Sequence, residues 1–321
     1  MQDSRQKLTI GIDAGNYKLK AAFLNDKITK IITESNDFLT LREECEIFFD
    51  DFVTSCVMSL PQDYSKKQKD EILFKAKTSG FENIDLIDSS EAVILGIDSD
   101  VCVLVFDIGK IRSEMLLINN NEVKERIIFN LSGNFFDRIF SEYLSVRFST
   151  EIIDEKLLNE AEILKIALTD SEFTEYRGIK IYREDFERLI RFHVRKIMHT
   201  FRRLELENKI QKIIFTGKTC KIPLILDTAS KMLKKKPEYI ENLIAKGTAK
   251  KAALLFKNEN VKNDADFRLR NLRHDLISVE EILTRSQKDR LYKLFSSAES
   301  GNPGIIKMLE DLMYELKTLR I

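Results

Sequence analysis

In the first third of the chain, apolar residues come in short runs separated by polar turns, a spacing that predicts strands alternating with helices. Leu8 to Asp13, Lys18 to Leu24 and Lys27 to Thr33 have strand length, whereas Asp37 to Phe52 carries its apolar residues at helical spacing. A strand Thr54 to Ser59 stops at Pro61. Next come a helix Ser65 to Ser79, with Ile72, Leu73 and Ala76 on one face and Gly80 at its end, a short strand Ile84 to Ile87, and a helix starting near Ser89. The three-strand opening returns from Val101 to Phe129, with Asn119-Asn120-Asn121 as its hairpin turn. Ser132 and Gly133 then precede a helix through about Val146. Helices are expected at Asp154 to Leu168 and Arg183 to Leu204, with a short extended piece, Ile179 to Tyr182, between them. A strand Lys212 to Thr216 and helices Lys221 to Leu233 and Tyr239 to Phe256 complete the core. Strands alternating with helices imply an α/β layer structure.

Residues 258–275 are polar and mixed in charge and read as a linker. Beyond them, Val279, Ile282, Leu283, Leu291, Leu294 and Phe295, then Ile305, Met308, Leu309, Leu312, Met313 and Leu316, recur at helical spacing around Gly301-Asn302-Pro303-Gly304. That pattern predicts a helical hairpin. Packing on its own domain is the commoner use of such a pair, and docking a protein partner is the alternative. The expected organisation is a first lobe 1–98, a second lobe 99–257, a linker 258–275 and a hairpin 276–321.

The main chemical clue is a repeated turn. Ile12-Asp13-Ala14-Gly15-Asn16-Tyr17-Lys18 lies between two apolar runs, and Phe106-Asp107-Ile108-Gly109-Lys110 repeats the design. A strand that ends in Asp-x-Gly places a carboxylate and several backbone N–H groups at its tip, where glycine permits close approach. Clustered N–H groups favour anions, and a carboxylate beside them favours a hydrated cation. One copy would read as an ordinary strand end. Two copies in the same context point to a metal-bound polyphosphate.

Composition narrows the classes. The 321 residues, 43% of them hydrophobic, suffice for about two domains. With 52 basic and 52 acidic residues the chain has no net charge, which removes any global argument for nucleic acid or an anionic membrane. The lysine-rich segment Lys218 to Lys251 has no interleaved aromatic platform, so a solvated helix face is favoured over nucleic acid. The polar N-terminus and the lack of any bilayer-spanning apolar stretch make the cytoplasm the default. Cys45, Cys56, Cys102 and Cys220 have no CxxC spacing and read as reduced structural thiols, and His193, His199 and His274 form no metal-binding pattern.

With both turns placed, the chain resembles the ATPase domain of Hsp70 chaperones, a member of the actin-like fold, from about Leu8 to Phe256. Ile10-Gly11-Ile12-Asp13-Ala14-Gly15 and Asp107-Ile108-Gly109 look like its two phosphate motifs. Val57-Met58-Ser59-Leu60-Pro61 is similar to a first-half strand, and Leu131-Ser132-Gly133-Asn134-Phe135-Phe136-Asp137 to the family's Leu-Gly-Gly-Glu-Asp-Phe-Asp stretch. Glu162, Lys165 and Thr169 match the spacing of its nucleoside-contacting Glu, Lys and Ser, and share one side of a helix. Ile213 to Pro223, with Gly217, Lys218, Thr219 and Lys221, looks like the adenosine motif, and Ala245-Lys246-Gly247-Thr248-Ala249 like the closing helix.

The resemblance implies two duplicated ribonuclease-H-like halves flanking a nucleotide cleft. ATP or ADP with Mg²⁺ would be the cofactor, its phosphate and metal side held by Asp13, Gly15, Asn16, Tyr17, Asp107, Gly109 and Lys110, with Asp13 and Asp107 reaching the metal through water. The departures gather on that side. Lys110, Ile111 and Arg112 stand where the family has glycines and a threonine, and Lys110 or Arg112 either contacts phosphate as a charge or fills the space. Asn16 and Tyr17 replace paired threonines. Ser89, or Glu91 two residues on, stands at the position of the glutamate that helps orient the attacking water. In the adenosine motif Lys218 replaces a glycine and Lys221 an arginine. Positioning water and stabilising charge are what such hydrolysis depends on. The expectation is an Hsp70-like adenine-nucleotide-binding protein with weak or absent hydrolysis, a nucleotide-gated switch or co-chaperone-like scaffold without its own peptide-binding domain. The alternative is a pseudo-ATPase that binds no nucleotide, and an actin-like filament former is a third possibility.

Overall fold

The computed structural model describes residues 8–15, 18–25, 28–97, 99–149, 153–256, 272, 276, 283, 285–298 and 303–318. The described chain forms two compact units, one of residues 1–89 with 245–321 and the other of residues 90–244. Each is built on a five-stranded sheet.

In the first unit, β1 (Thr9–Ala14), β2 (Leu19–Asn25) and β3 (Ile28–Ser35) form an antiparallel meander, followed by α1 (Phe38–Phe49), β4 (Ser55–Leu60), α2 (Lys66–Thr78) and β5 (Asn83–Asp88). The strand order is β3-β2-β1-β4-β5, with β4 and β5 parallel to β1. All six residues of β1 are buried, so its two faces are set by what covers them. Ile10 and Ile12 pack with Leu41, Cys45 and Phe49 of α1. Gly11 points the other way. A Cβ there would fall 2.3 Å from the Ala249 nitrogen, so only glycine lets helix α8 (Leu243–Phe256) approach with its backbone. Ala245 and Ala249 of α8 pack with Ala22 of β2 on that face. This contact places residues from Ala245 onward with the first unit.

The second unit starts with α3 (Ser89–Ile97) and repeats the meander as β6 (Val103–Ile108), β7 (Ser113–Asn119) and β8 (Glu122–Phe129). Asn120 and Asn121 both have positive φ, 52° and 57°, the geometry of a two-residue type I′ hairpin. Then come α4 (Gly133–Arg147), α5 (Glu155–Asp170), β9 (Phe173–Tyr176), β10 (Ile179–Tyr182), α6 (Arg183–Glu207), β11 (Lys212–Thr216), a 3-10 turn Lys218–Lys221, α7 (Pro223–Met232) and β12 (Glu238–Tyr239). The order β8-β7-β6-β11-β12 repeats that of the first sheet, with β11 and β12 on the parallel side. One face is an aromatic-rich core in which Phe106, Phe201 and Phe215 meet edge to face or tilted. The other carries Val103, Val105, Leu116 and Ile214, packed with Val93 of α3 and Leu243 of α8.

Two expectations are corrected here. The segment from Tyr239 does not begin a helix: Tyr239 belongs to β12, the Ile240 N–H donates to the Phe215 carbonyl, and Asn242 takes a φ of 54° before α8 starts at Leu243. Ile179 to Tyr182 is not an isolated extended piece but pairs with β9 across Arg177-Gly178, whose φ values of 51° and 76° make a second tight turn.

In the C-terminal region, α9 (Arg285–Ala298) and α10 (Pro303–Thr318) pair, with Leu291, Phe295, Leu309 and Met313 buried between them. Leu272, read as linker, is helical and buried in that same cluster. Val279, Ile282 and most of 258–275 lie outside the described residues. Cys45, Cys56 and Cys220 are buried and Cys102 partly so, all as free thiols. No helix among the described residues is long and apolar enough to cross a membrane.

Candidate functional site

Two strand tips carry the predicted carboxylates. In the first unit Asp13 is buried at the end of β1, opposite Lys20 on β2 and beside Ser59 on β4. Burial pushes its carboxyl above the ordinary aspartate range, with Glu34 adding to the rise, while Lys20 and the Gly15 N–H oppose it. Gly15 lies two residues on, and a Cβ there would lie 3.3 Å from Asp13 Oδ1. Asn16 and Tyr17 lie outside the described residues. Ser89 is buried at the first position of α3, and Glu91 stands half-buried in the first turn of that helix.

In the second unit the sheet register sets Asp107 between Glu114 on β7 and Thr216 on β11. The chain leaves β11 through Gly217 at φ +84°, where a side chain would meet the Ile108 carbonyl oxygen at 2.4 Å and Asp107 Oδ1 at 2.5 Å. Both the conformation and the crowding demand glycine. The 3-10 turn then brings the Thr219 hydroxyl to the Gly109 carbonyl, 3.4 Å away, and buries Cys220, whose thiol donates to the Phe106 carbonyl. Burial, with Asp107 adding to it, raises the Cys220 thiol well above its ordinary range. Lys218 and Lys221 are exposed. Lys221 pairs with Glu241 at 2.9 Å and lies over the Tyr239 ring.

Sequence separation hid how the second turn meets the helices. The Gly109 N–H closes its hairpin on the Arg112 carbonyl at 2.9 Å. The first amides of α4 then donate to the turn itself, Gly133 to the Gly109 carbonyl at 2.9 Å and Asn134 to the Lys110 carbonyl at 2.7 Å. Helix N-terminal amides of this kind are the usual seat of an anion. Here the turn uses two of them.

Lys110 reaches from this turn into an ion-pair chain. Its ammonium touches Glu162 of α5 and lies 3.9 Å from Asp137 of α4, and Asp137 Oδ1 is 2.7 Å from Lys165 Nζ. The Lys165 ammonium also faces the Gly133 carbonyl at 3.4 Å. Asp137 and Lys165 side chains are 5% and 7% exposed, so this pair is an interior one. Burial raises the Asp137 carboxyl from its ordinary range, against the pull of Lys165 and Lys110 and with a push from Glu162. Thr169, one turn on, donates its hydroxyl back to the Lys165 carbonyl.

Thus Gly109, Lys110, Glu162, Lys165 and Thr219 come together with Asp107 and Gly217 in one unit. The sequence did not mark Asp137, Glu114 and Arg126 as site residues, because their places depend on pairing between distant segments. The Phe-Phe-Asp of 135–137 was the only local signal for Asp137. Among the described residues no three His, Cys, Asp or Glu side chains gather to hold a metal ion.

Two sheets of identical strand order, each with its Asp-x-Gly turn at the end of the first strand, define the actin-like ATPase fold of the Hsp70 type. The family description "Hsp70 protein" matches residues 13–272, and the chain belongs to that family. Among curated proteins it is 26% identical over 258 residues to a "Chaperone protein HscA" of Buchnera aphidicola subsp. Schizaphis graminum, covering 72% of this chain and 42% of that protein. It is also 26% identical over 241 residues to a "Chaperone protein HscA homolog" of Rickettsia typhi, covering 70% and 40%, and 24% identical to that of Rickettsia akari, covering 70% and 39%. The chain therefore spans about two fifths of the length of these relatives.

Proposed function

We propose that the chain binds an adenine nucleotide at the second Asp-x-Gly turn, hydrolyses it slowly or not at all, and works as a nucleotide-gated switch or scaffold. The observation that carries this reading is the packing of Gly217 against Asp107 and of the Thr219 hydroxyl against the Gly109 carbonyl, because it joins the adenosine-type motif to the phosphate-type turn. Asp107, Gly109 and Lys110 then serve the phosphates, and Glu162, Lys165, Thr169, Gly217, Thr219 and the exposed Lys218 and Lys221 the nucleoside. Weak turnover follows from Ser89 at the position of a water-orienting glutamate, and from the Gly109 amide and the first amides of α4 being already engaged by carbonyls.

A second reading, a pseudo-ATPase that serves interaction alone, is favoured by Lys110: its ammonium occupies the carboxylate that a ribose would use. A protein partner on the C-terminal helices would belong to that role. Titration calorimetry with ATP and ADP separates the two. Micromolar binding that Glu162→Gln and Asp107→Ala both weaken supports the nucleotide site. Absence of heat and of any ligand-induced rise in melting temperature supports the pseudo-ATPase.

A further inference from the structure

The outer side of α6 carries a feature that the nucleotide site does not use. From Arg188 to Leu204 the helix holds Arg188, Arg191, Arg195, Lys196, Arg202 and Arg203 and has no carboxylate. Part of this charge is already matched. Arg188, Arg202 and Arg203 pair with Asp185, Glu205 and Glu207, and Arg191 acts on the Glu187 carboxyl. Arg195 and Lys196 are exposed and make no ion pair among the described residues. Phe192, one turn before Lys196, is 72% exposed.

Lys196 borders a cleft of about 230 Å³ where α6 meets the end of β8 and the start of α4. Phe129, Leu131, Phe135 and Ile197 give it apolar walls, and His193, which also lines it, meets Phe135 edge to face with ring centroids 4.9 Å apart. Asn130 stands exposed at the border. Neither its amide nor the Lys196 ammonium has a hydrogen-bond partner among the described residues. No acid is among the described residues that line the cleft. On the facing wall, Asp137 is buried against Lys165, and Glu125 lies four residues up β8 from Phe129, about 13 Å at the rise of a strand.

Size and charge select the occupant. The cleft is smaller than the roughly 300–1,000 Å³ of drug-sized ligand sites and suits one bulky side chain. Nucleic acid needs successive aromatic faces for its bases, whereas α6 exposes one ring, Phe192. A protein segment with an apolar anchor between carboxylates matches both features, the anchor entering the cleft and the acids meeting Lys196 and Arg195.

We propose that this face of α6 docks an acidic peptide segment of a protein partner through one apolar anchor residue. The inference does not depend on nucleotide binding. The test pans a displayed library of random peptides, about twelve residues long, on the full chain, with counter-selection on Lys196→Glu, which reverses the charge, and on Asn130→Trp, which blocks the cleft. Both positions are exposed, so neither change disturbs the core. Enriched peptides should share a Leu, Ile, Met or Phe flanked by Asp or Glu. In fluorescence anisotropy they should bind the wild-type chain at least about tenfold more tightly than either variant. Lys196→Arg should keep that binding, and raising salt from about 50 to about 200 mM should weaken it. Peptides that bind wild type and both variants alike, or no enrichment against the variants, would overturn the inference. Oligouridylate binding that exceeds that of every selected peptide and is lost in Lys196→Glu would overturn it too, and would assign the face to nucleic acid.

Discussion

The two Asp-x-Gly tips sit on sheets of the same strand order, yet their surroundings are opposite in kind. Asp13 is buried opposite Lys20, with Glu34 also acting on its carboxyl, and its sheet face is covered by an alanine-lined helix lying against Gly11. Asp107 stands half-buried opposite Glu114, which Arg112 and Arg126 both hold, in a unit where Lys110 pairs with Glu162, and the position matching Gly11 is Val105, packed by side chains instead of helix backbone. Duplication thus preserves the scaffold, while the sheet face beside each carboxylate is packed differently, by helix backbone in the first unit and by side chains in the second.

The sharpest break in this comparison comes from the two crowded glycines. Gly217→Ala forces a side chain into a positive-φ position against the Ile108 carbonyl and Asp107, and Gly11→Ala drives one into the backbone of α8. Each should cost roughly 3–5 kcal/mol by urea denaturation or prevent folding, whereas Gly15→Ala, with only 3.3 Å to a movable carboxylate, should cost under about 1 kcal/mol. A loss at Gly217 as small as that at Gly15 would show that the β11 exit is not as tight as its geometry.

Next in size is the buried pair of the second unit. Lys165→Met leaves Asp137 without its closest cation in the interior and should cost about 3 kcal/mol, whereas Lys165→Met with Asp137→Leu should restore most of it. Equal losses in the single and double variants would mean that packing, not charge, dominates there.

Two carboxylates give opposite pH signatures. Between the ordinary aspartate range and the raised value of Asp13, the folded chain holds a proton that the unfolded chain releases, so its contribution to stability falls as pH rises through that window. Asp13→Asn should abolish that fall and raise stability at neutral pH, read by urea denaturation across that window. Glu205 in α6 behaves the other way. Burial pushes it up, but the Lys234 and Lys235 N–H groups and Arg202 outweigh burial and hold it below the ordinary glutamate range. Its stabilisation is complete above that ordinary range and is lost as pH drops through the lowered value. Glu205→Gln should therefore cost roughly 1–2 kcal/mol near neutrality, and the difference from wild type should vanish in acid.

The smallest effects concern helix starts. Ser65 caps α2 in a reciprocal box with Gln68, and Ser132 caps α4 through the Phe135 N–H. Alanine at either should cost about 1 kcal/mol in thermal unfolding. A larger loss at Ser132 would show that the start of α4, which also holds the Gly109 turn, is coupled to the site.

Much of this was legible in the chain itself. Apolar spacing located the two meanders and most helices, because each strand or amphipathic helix carries its own period. The Asn120-Asn121 turn followed from residues that tolerate positive φ. The helix expected from Tyr239 failed because its first residues complete a sheet, a long-range pairing that overrides local propensity. Strand β9 was missed for a similar reason, its four residues alternating too briefly to stand out from a loop.

The sequence alone determined the duplicated scaffold, the two carboxylate tips and the family to which they belong, since these are written in local patterns and in their order. Which charges meet was decided only by the tertiary structure. Lys110 finds Glu162, Lys165 finds Asp137, and Arg112 and Arg126 share Glu114. All but the Arg112 contact join segments distant in sequence, and the energy of an ion pair depends on separation and burial, quantities that no spacing along the chain contains.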